Sequence, residues 1–322
     1  MKVLLTGPFG KIGYRVIEAL LAKGYQPVCF DLDTKANRKT AKAFGDRITV
    51  IWGDICNPKS VADAVKGVDA VIHNAAIIPP MSDVNPALAE KVNVGGTQNI
   101  IAAMQQSPAK PWLIFPSSIS IHGNHLPDSK PPRRITDPFH AEDCYAGHKI
   151  KCEELIDKSG LNYVIVRVGA CMEGRNPMDT ENSEEMMQMM FSIAAKCRIE
   201  YVHPKDVATA MVNAIYNPAA LGKKFFLGGG KSCQTFWGDF NSLFLVAMGC
   251  KPFPPEVFGT QGYYTEWMDT EESQRVLQFQ HHTLEDYRAE LDQKFKWLRP
   301  LLFPVRPLIS RYLISKSPNA KK

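Results

Sequence analysis

The chain has 322 residues, about twice a usual domain of roughly 100 to 200, so one large α/β unit or a domain with a second lobe is expected. Hydrophobic residues at 45% and charged residues at 22%, with 22 Gly and 23 Pro, exclude a disordered, collagen-like or coiled-coil chain. The net charge of +5 is concentrated at the C-terminus: residues 293–322 hold eight Lys or Arg and no acid, leaving 30 bases against 33 acids in the first 292, which argues against a nucleic-acid-binding face.

In chain order, Lys2 to Thr6 reads as a strand, TGPFGKIG as a Gly-rich loop, and YRVIEALLAKG as a helix whose Val16, Ile17, Leu20 and Leu21 recur at helical spacing before Gly24. Pro27 to Phe30 makes a second strand ending at Asp31, Ile48 to Trp52 a third and Ala70 to His73 a fourth, with helical segments such as Ser60 to Val65 between them. Asn85 to Gln105 predicts a long helix, Trp112 to Pro116 a fifth strand, Tyr145 to Lys158 a helix and Tyr163 to Val168 a sixth strand. This alternation implies an α/β fold, a doubly wound parallel sheet of Rossmann type. Beyond Gly169 the rhythm breaks into a Met-rich EEMMQMMFSIAAK, the strand-like IEYVH, a helix from Lys205 to Tyr216, FFLGGG, and an aromatic-rich C-terminal third. The expected organisation is therefore 1–168 with 203–230 as the dinucleotide-binding domain, and 169–202 with 231–322 as a smaller C-terminal substrate lobe ending in the basic tail. The Pro-rich stretch from Leu126 to Pro138 is a long loop of the kind that often serves function.

Eight cysteines without a C-x-x-C or zinc-ligand spacing read as free thiols, and no metal site is expected. Together with an apolar run in MKVLLTG too short for a signal peptide, they predict a reducing, cytoplasmic compartment. No run of 18 apolar residues is present to span a membrane.

Gly7, Gly10 and Gly13 stand between a strand and a helix, where glycines let the backbone approach a pyrophosphate at the positive end of the helix. Asp31, 18 residues after Gly13 and at the end of the next strand, is placed to accept hydrogen bonds from ribose hydroxyls; Asp33 is its rival. Farther on, Tyr145 and Lys149 share a helix face one turn apart, so the ammonium can approach the phenol and supply part of the lowering that would bring its pKa from about 10 towards neutrality. Ser118, after the fifth strand, can hydrogen-bond a substrate oxygen as charge develops there, with Ser117 as the alternative. His73 is expected to be structural, Cys144 inert for want of a paired base, and Arg133 and Arg134 solvated unless they meet a substrate anion.

The order of these motifs resembles the extended branch of the short-chain dehydrogenase/reductase superfamily, the NAD-dependent epimerase/dehydratase family. TGPFGKIG is similar to its G-x-x-G-x-x-G loop, GDI at Gly53 to Ile55 to its adenine-contacting segment, and HNAA at His73 to Ala76 to its fourth-strand motif. VNVGGTQNI around Asn93, FPSSISIHG with Ser118, the Tyr145/Lys149 Y-x-x-x-K pair and EYVHPKDVATAM follow, covering about residues 1 to 230. The resemblance implies an NAD cofactor held by Gly7, Phe9, Gly10, Lys11, Ile12, Gly13, Asp31, Asp54, Ile55, Asn74, Ala75, Ala76, Asn93, Tyr145 and Lys149. It also implies that Lys149 holds the nicotinamide ribose, that Asn93 supports the helix and a water path behind Lys149, and that the two long helices form a homodimer contact.

Two departures bear on substrate. Where sugar-nucleotide members carry R-P and an Asn, this chain has RVGACMEG, and 35 residues separate Arg167 from His203, with Met178, Met186, Met187, Met189 and Met190 among them. Those methionines suit either an adaptable apolar surface or an amphipathic core helix. Ile119 and Ser120 occupy the places of the dehydratases' Asp-Glu pair, which argues against dehydration. The leading expectation is an NAD-dependent oxidoreductase interconverting a secondary alcohol and a ketone on an apolar or non-nucleotide small molecule. The alternatives are a nucleotide-sugar epimerase with bound NAD and a non-catalytic NAD-sensing protein. Finally, KFKWLRPLLFPVRPLISRYLISK contains Pro300, Pro304 and Pro307, which exclude a spanning helix. This tail either packs on the lobe, burying Trp297, Leu301, Leu302 and Phe303, or lies on an anionic membrane with those residues inserted and Arg306, Arg311 and Lys316 at headgroup level.

Overall fold

A computed structural model describes residues 1–125, 128–172 and 183–320. Its centre is a seven-stranded parallel sheet of β1 (Lys2–Thr6), β2 (Gln26–Asp31), β3 (Thr49–Trp52), β4 (Ala70–His73), β5 (Trp112–Ser118), β6 (Tyr163–Val168) and, later in the chain, Lys224–Leu227. Two short strands, β7 (Ala170–Cys171) and β8 (Arg198–Val202), intervene before Lys224–Leu227, which is β9. The order is β3-β2-β1-β4-β5-β6-β9, so the chain reverses direction across the sheet between β1 and β4. That switch point opens a crevice at the carboxyl ends of the strands, where ligands of doubly wound sheets bind.

Alternation along each strand feeds two helical layers. Val3 and Leu5 of β1, Ile114 of β5 and Val164 and Val166 of β6 pack with Val16, Ile17 and Leu20 of the helix Lys11–Ala22 and Met211 of the helix Pro204–Ala214. Leu4, Leu113, Phe115 and Ile165 point the other way, onto Val61, Ile100, Met104, Cys152 and Ile156. Both faces being covered explains why the strands read as near-continuous apolar runs.

The predicted helix from Asn85 to Gln105 is present as three joined pieces, Pro86–Glu90, a widened π turn at Lys91–Gly95, and Gly96–Gln106. The π turn carries Asn93, a local widening often found at functional sites. A second apolar cluster gathers Phe191, Ile199, Tyr201, Trp237, Phe240, Tyr287, Leu291, Phe295 and Leu313. Beside it β8 pairs in parallel with β7 and antiparallel with β10 (Gln234–Phe236).

The methionines divide between their two expected roles: on the helix Ser183–Ser192, Met187 and Met190 pack on the second cluster, while Met186 and Met189 are exposed. Met178 lies outside the described residues, as do Leu126 and Pro127 at the head of the Pro-rich loop. Two expectations are corrected. Arg133 is buried and not solvated, because its guanidinium donates to the carbonyls of His122 (3.0 Å) and Gly123 (3.4 Å) and ties the Pro-rich loop down. In the tail Leu302 is half-buried, but Trp297, Leu301 and Phe303 are exposed, since the helical turns of that segment seat a different stripe on the fold. Among the described residues no helix is long and apolar enough to cross a membrane.

Candidate active site

A cleft of about 770 Å³ runs along the carboxyl ends of the strands. Gly7, Gly10, Lys11 and Ile12 form one part of its wall, Asp31, Asp54 and Ile55 one end, Asn74, Ala75 and Ala76 the middle, and Ser118, Tyr145 and Lys149 the other end. Phe9, Gly13 and Asn93 stand behind that lining. Gly13 fixes the loop against its helix: a Cβ there would lie 2.1 Å from the Gly7 carbonyl oxygen, so only glycine permits this approach. Gly7 itself has φ +64°, and its added Cβ would stand 2.9 Å from the Ala75 backbone. Phe9 packs its ring on Trp52 at 5.6 Å. The amide of Asn93 accepts from the Ile77 N–H at 2.7 Å and donates to its carbonyl at 2.8 Å, which fixes the loop after β4 to the π turn, and its nitrogen also lies 3.4 Å from His148 Nδ1.

The two aspartates are told apart by their partners. Asp31 lines the cleft; burial pushes its pKa up, against hydrogen bonds from the Leu32 N–H (2.8 Å), the Phe9 N–H and the Asn37 amide. Asp33 is exposed and paired with Arg38 at 2.5 and 2.6 Å, which holds its pKa below the usual carboxylate range.

At the opposite end, the helix Cys144–Asp157 starts on Asp143, whose carboxylate accepts from the Ala146 N–H at 2.6 Å, and this cap presents Tyr145 in the first turn. Ser118 accepts from both the N–H (3.1 Å) and the hydroxyl (2.9 Å) of Ser120, so its own hydrogen is left for the Tyr145 oxygen to which it is bonded. Ser117, the neighbour on the strand, turns instead towards Glu153. Lys149 is buried; its ammonium donates to the Pro116 carbonyl at 2.7 Å and sits 4.5 Å over the Phe115 ring and 5.7 Å over the Tyr145 ring. Burial pushes the Lys149 pKa down to about 8.

The electrostatics correct one expectation. Burial, with Tyr264 and Asp143 nearby, pushes the Tyr145 phenol up and not towards neutrality, and only the Ser118 hydrogen bond opposes it. The Lys149 ammonium donates to a carbonyl and lies over the Phe115 and Tyr145 rings, and the upward shift favours the protonated phenol, the form that gives a proton.

His73 is structural, as expected. Its Nδ1 lies 2.8 Å from the Thr6 hydroxyl and its Nε2 3.1 Å from that of Thr97. Thr97 already gives its hydrogen to the Asn93 carbonyl at 2.6 Å, so Nε2 must be the donor; Thr6, which accepts from the Ala75 N–H at 3.0 Å, then donates to Nδ1. Burial pushes the imidazole down to about 3, and it stays neutral. Cys144 points its thiol at the Ser82 carbonyl and Asp83, and burial raises its pKa, which disfavours the thiolate.

Sequence reasoning missed Ser120, whose two hydrogen bonds aim Ser118, and the apolar wall of Ile77, Ile78, Leu88 and Val92. The apolar pair directly after HNAA was the available signal for that wall.

Known proteins share this architecture. A 3-beta-hydroxysteroid dehydrogenase of Mycolicibacterium neoaurum is 29% identical over 268 residues, covering 78% of this chain and 71% of that protein. The 3 beta-hydroxysteroid dehydrogenase type 7 of Mus musculus is 32% identical over 126 residues, 38% of this chain, and the match spans only about a third (34%) of its length. In structure, the UDP-glucuronic acid 4-epimerase of Bacillus cereus, solved with UDP-glucuronic acid and NAD, superposes with a TM-score of 0.74 at 21% identity, over 92% of this chain and 100% of that one, a likeness of fold. Residues 3–228, which build the whole cleft, match the model of the NAD-dependent epimerase/dehydratase family, and the chain belongs to that family.

Proposed function

We propose that the protein is an NAD-dependent oxidoreductase that interconverts a secondary alcohol and a ketone on an apolar small molecule. The observation that carries this is the convergence on one cleft of the Ser118, Tyr145 and Lys149 side chains with the Gly7 to Gly13 loop and Asp31. The close approach at Gly13 and the helix N-terminus at Lys11 fit a pyrophosphate, and Asp31 fits a ribose diol. Asp54 and Ile55 would flank the adenine, Asn74, Ala75 and Ala76 the middle of the dinucleotide, and Lys149 the second ribose.

NAD, when bound, supplies the hydride acceptor or donor at the substrate carbon. In the direction of reduction Tyr145 gives its proton to the ketone oxygen, and Ser118, held by Ser120, donates a hydrogen bond to the same oxygen as negative charge develops. In oxidation Tyr145 would act from its phenolate form, which the Lys149 ammonium and the positive charge of oxidised NAD would favour, and take the alcohol proton to become the neutral phenol. The wall of Ile77, Ile78, Leu88 and Val92, and Val168 after Arg167, support an apolar substrate. The similarity to hydroxysteroid dehydrogenases points to hydroxysteroids as the first compounds to try. Turnover with NAD over a panel of hydroxysteroids, hydroxy acids and nucleotide sugars tests the reading. Activity confined to nucleotide sugars, with cofactor retained through purification, would favour the epimerase reading that the family description allows.

NAD should bind more tightly than NADP, because the Asp31 carboxylate repels a 2′-phosphate and Arg38 is engaged by Asp33. Titration of both cofactors measures this, and a preference for NADP removes Asp31 from its role.

A second apolar cluster drawn from 169–202 and 231–322 supports a division of labour in which 1–168 with 203–230 hold the cofactor and line the cleft, and the other segments form a lobe beside it. The eight cysteines, none in a disulfide, support a reducing, cytoplasmic compartment. A homodimer would use the helical run from Pro86 to Gln106 and the helix Cys144–Asp157, which Glu90 of the first and Lys151 of the second link at 2.7 Å. Light scattering should give twice the 35.9 kDa chain mass, and the single-chain mass would exclude it.

A further inference from the structure

The tail is fixed to the fold by one face and presents another. Three short helical pieces, Arg299–Leu302, Phe303–Val305 and Arg306–Ser315, follow one another, each with a proline in its first turn, where the missing N–H costs nothing. Leu302, Ile309, Leu313 and Ile314 pack on the second apolar cluster. Arg299 donates to the Ala247 carbonyl at 2.7 Å and Arg306 to the Arg299 carbonyl at 3.1 Å. Ser317 donates to the Val257 carbonyl at 2.5 Å, so the segment cannot roll.

The opposite stripe is apolar and open to water. Trp297 is 82% exposed, Leu301 73% and Leu308 66%, with Val305 and Tyr312 on the same helical path at intervals of three or four residues and Phe303 beside them. Exposed apolar side chains recurring in this way along one short segment mark an interaction surface. Its charge identifies the partner: residues 293–322 contain no acid, and Lys296 and Arg311 are exposed beside the stripe. Interfaces between proteins are depleted of Lys at their centres, and a second copy docking by the same patch would set like charges face to face. Aromatic and aliphatic side chains flanked by Lys and Arg, along helical turns lying flat on the fold, suit the boundary between headgroups and acyl chains.

We propose that residues 296–312 form a docking surface for an anionic phospholipid bilayer, with Trp297, Leu301 and Leu308 inserted and Lys296 and Arg311 at the headgroups. The cleft is separate from this surface, so the inference does not depend on the reaction proposed above.

The test is co-sedimentation of the full chain with vesicles of phosphatidylcholine alone and of phosphatidylcholine mixed with phosphatidylglycerol. The full chain should pellet with the mixed vesicles and far less with the neutral ones, and added salt should weaken the association. Combined Trp297→Ser, Leu301→Ser and Leu308→Ser should lower partition by about tenfold or more, because three apolar insertions are lost. All three side chains are exposed, so thermal unfolding and NAD titration should match the unsubstituted chain. A second variant, Lys296→Glu with Arg311→Glu, should abolish the preference for anionic vesicles. No pelleting with mixed vesicles, or equal pelleting of the serine variant, overturns the proposal. Self-association in buffer that the serine variant abolishes also overturns it, by showing that a second copy covers the stripe.

Discussion

Replacing Tyr145 by Phe should lower turnover about 10²-fold or more while leaving NAD affinity nearly intact. The substitution removes one oxygen and keeps the ring that packs beside Lys149. On the proposed mechanism it deletes the proton donor to the reacting oxygen and leaves the Ser118 hydroxyl without its Tyr145 acceptor. Lys149→Ala should lose both turnover and cofactor affinity, since the ammonium is fixed by the Pro116 carbonyl at the cofactor end of the same group. Steady-state rates and cofactor titration separate the two variants. Residual turnover of the Phe variant above about a tenth would place the proton transfer elsewhere.

The second large effect is on stability. Arg167 and Glu153 form an ion pair at 2.8 Å with side chains only 2% and 1% exposed, and Arg167 also donates to the Ile135 carbonyl at 2.7 Å and to His122 Nε2 at 3.2 Å. Arg167→Met should cost about 3–5 kcal/mol, because it strands a buried carboxylate and two acceptors. Lys224, 3.3 Å from Glu153 but partly exposed, offsets only part of this. Burial alone would raise the Glu153 pKa, yet the Arg167 hydrogen bonds hold it below its ordinary 4.5. The contribution of the pair is therefore present above that value and is lost as pH falls through the folded pKa. Denaturant unfolding of the variant and of the Arg167→Met, Glu153→Leu double variant measures the effect. A loss under about 1 kcal/mol in the single variant would show that the pair is not load-sharing in the way its burial implies.

The parallel sheet and both helical layers were legible because burial on two faces writes continuous apolar runs, and glycines must stand where a backbone approaches a ligand. Asp31 was legible from its place at the end of β2, and Tyr145 with Lys149 from helical spacing. What stayed hidden depends on three-dimensional neighbours. That Ser120 aims Ser118 follows from a tight 3₁₀ turn after β5 which no propensity announces. The upward shift of the Tyr145 phenol follows from burial, with Tyr264 brought in from more than a hundred residues further along the chain. Arg133 read as solvated because charged side chains usually are, and its burial depends on carbonyls of the chain at His122 and Gly123. In the tail the composition of apolar and basic residues was plain, but which apolar residues face outward is decided by how the proline-initiated turns follow one another.

The neutral His73, bracketed by the hydroxyls of Thr6 and Thr97, has a consequence for kinetics. It joins the tip of β1 to the turn holding Asn93 through contacts that contain no titrating charge between about pH 4 and 9, given a pKa of about 3. The spacing between the two halves of the cleft is thus indifferent to acidity over that span. A bend in a rate profile there is not expected from this contact; the Lys149 ammonium, whose pKa burial lowers to about 8, is a cleft group placed to give one.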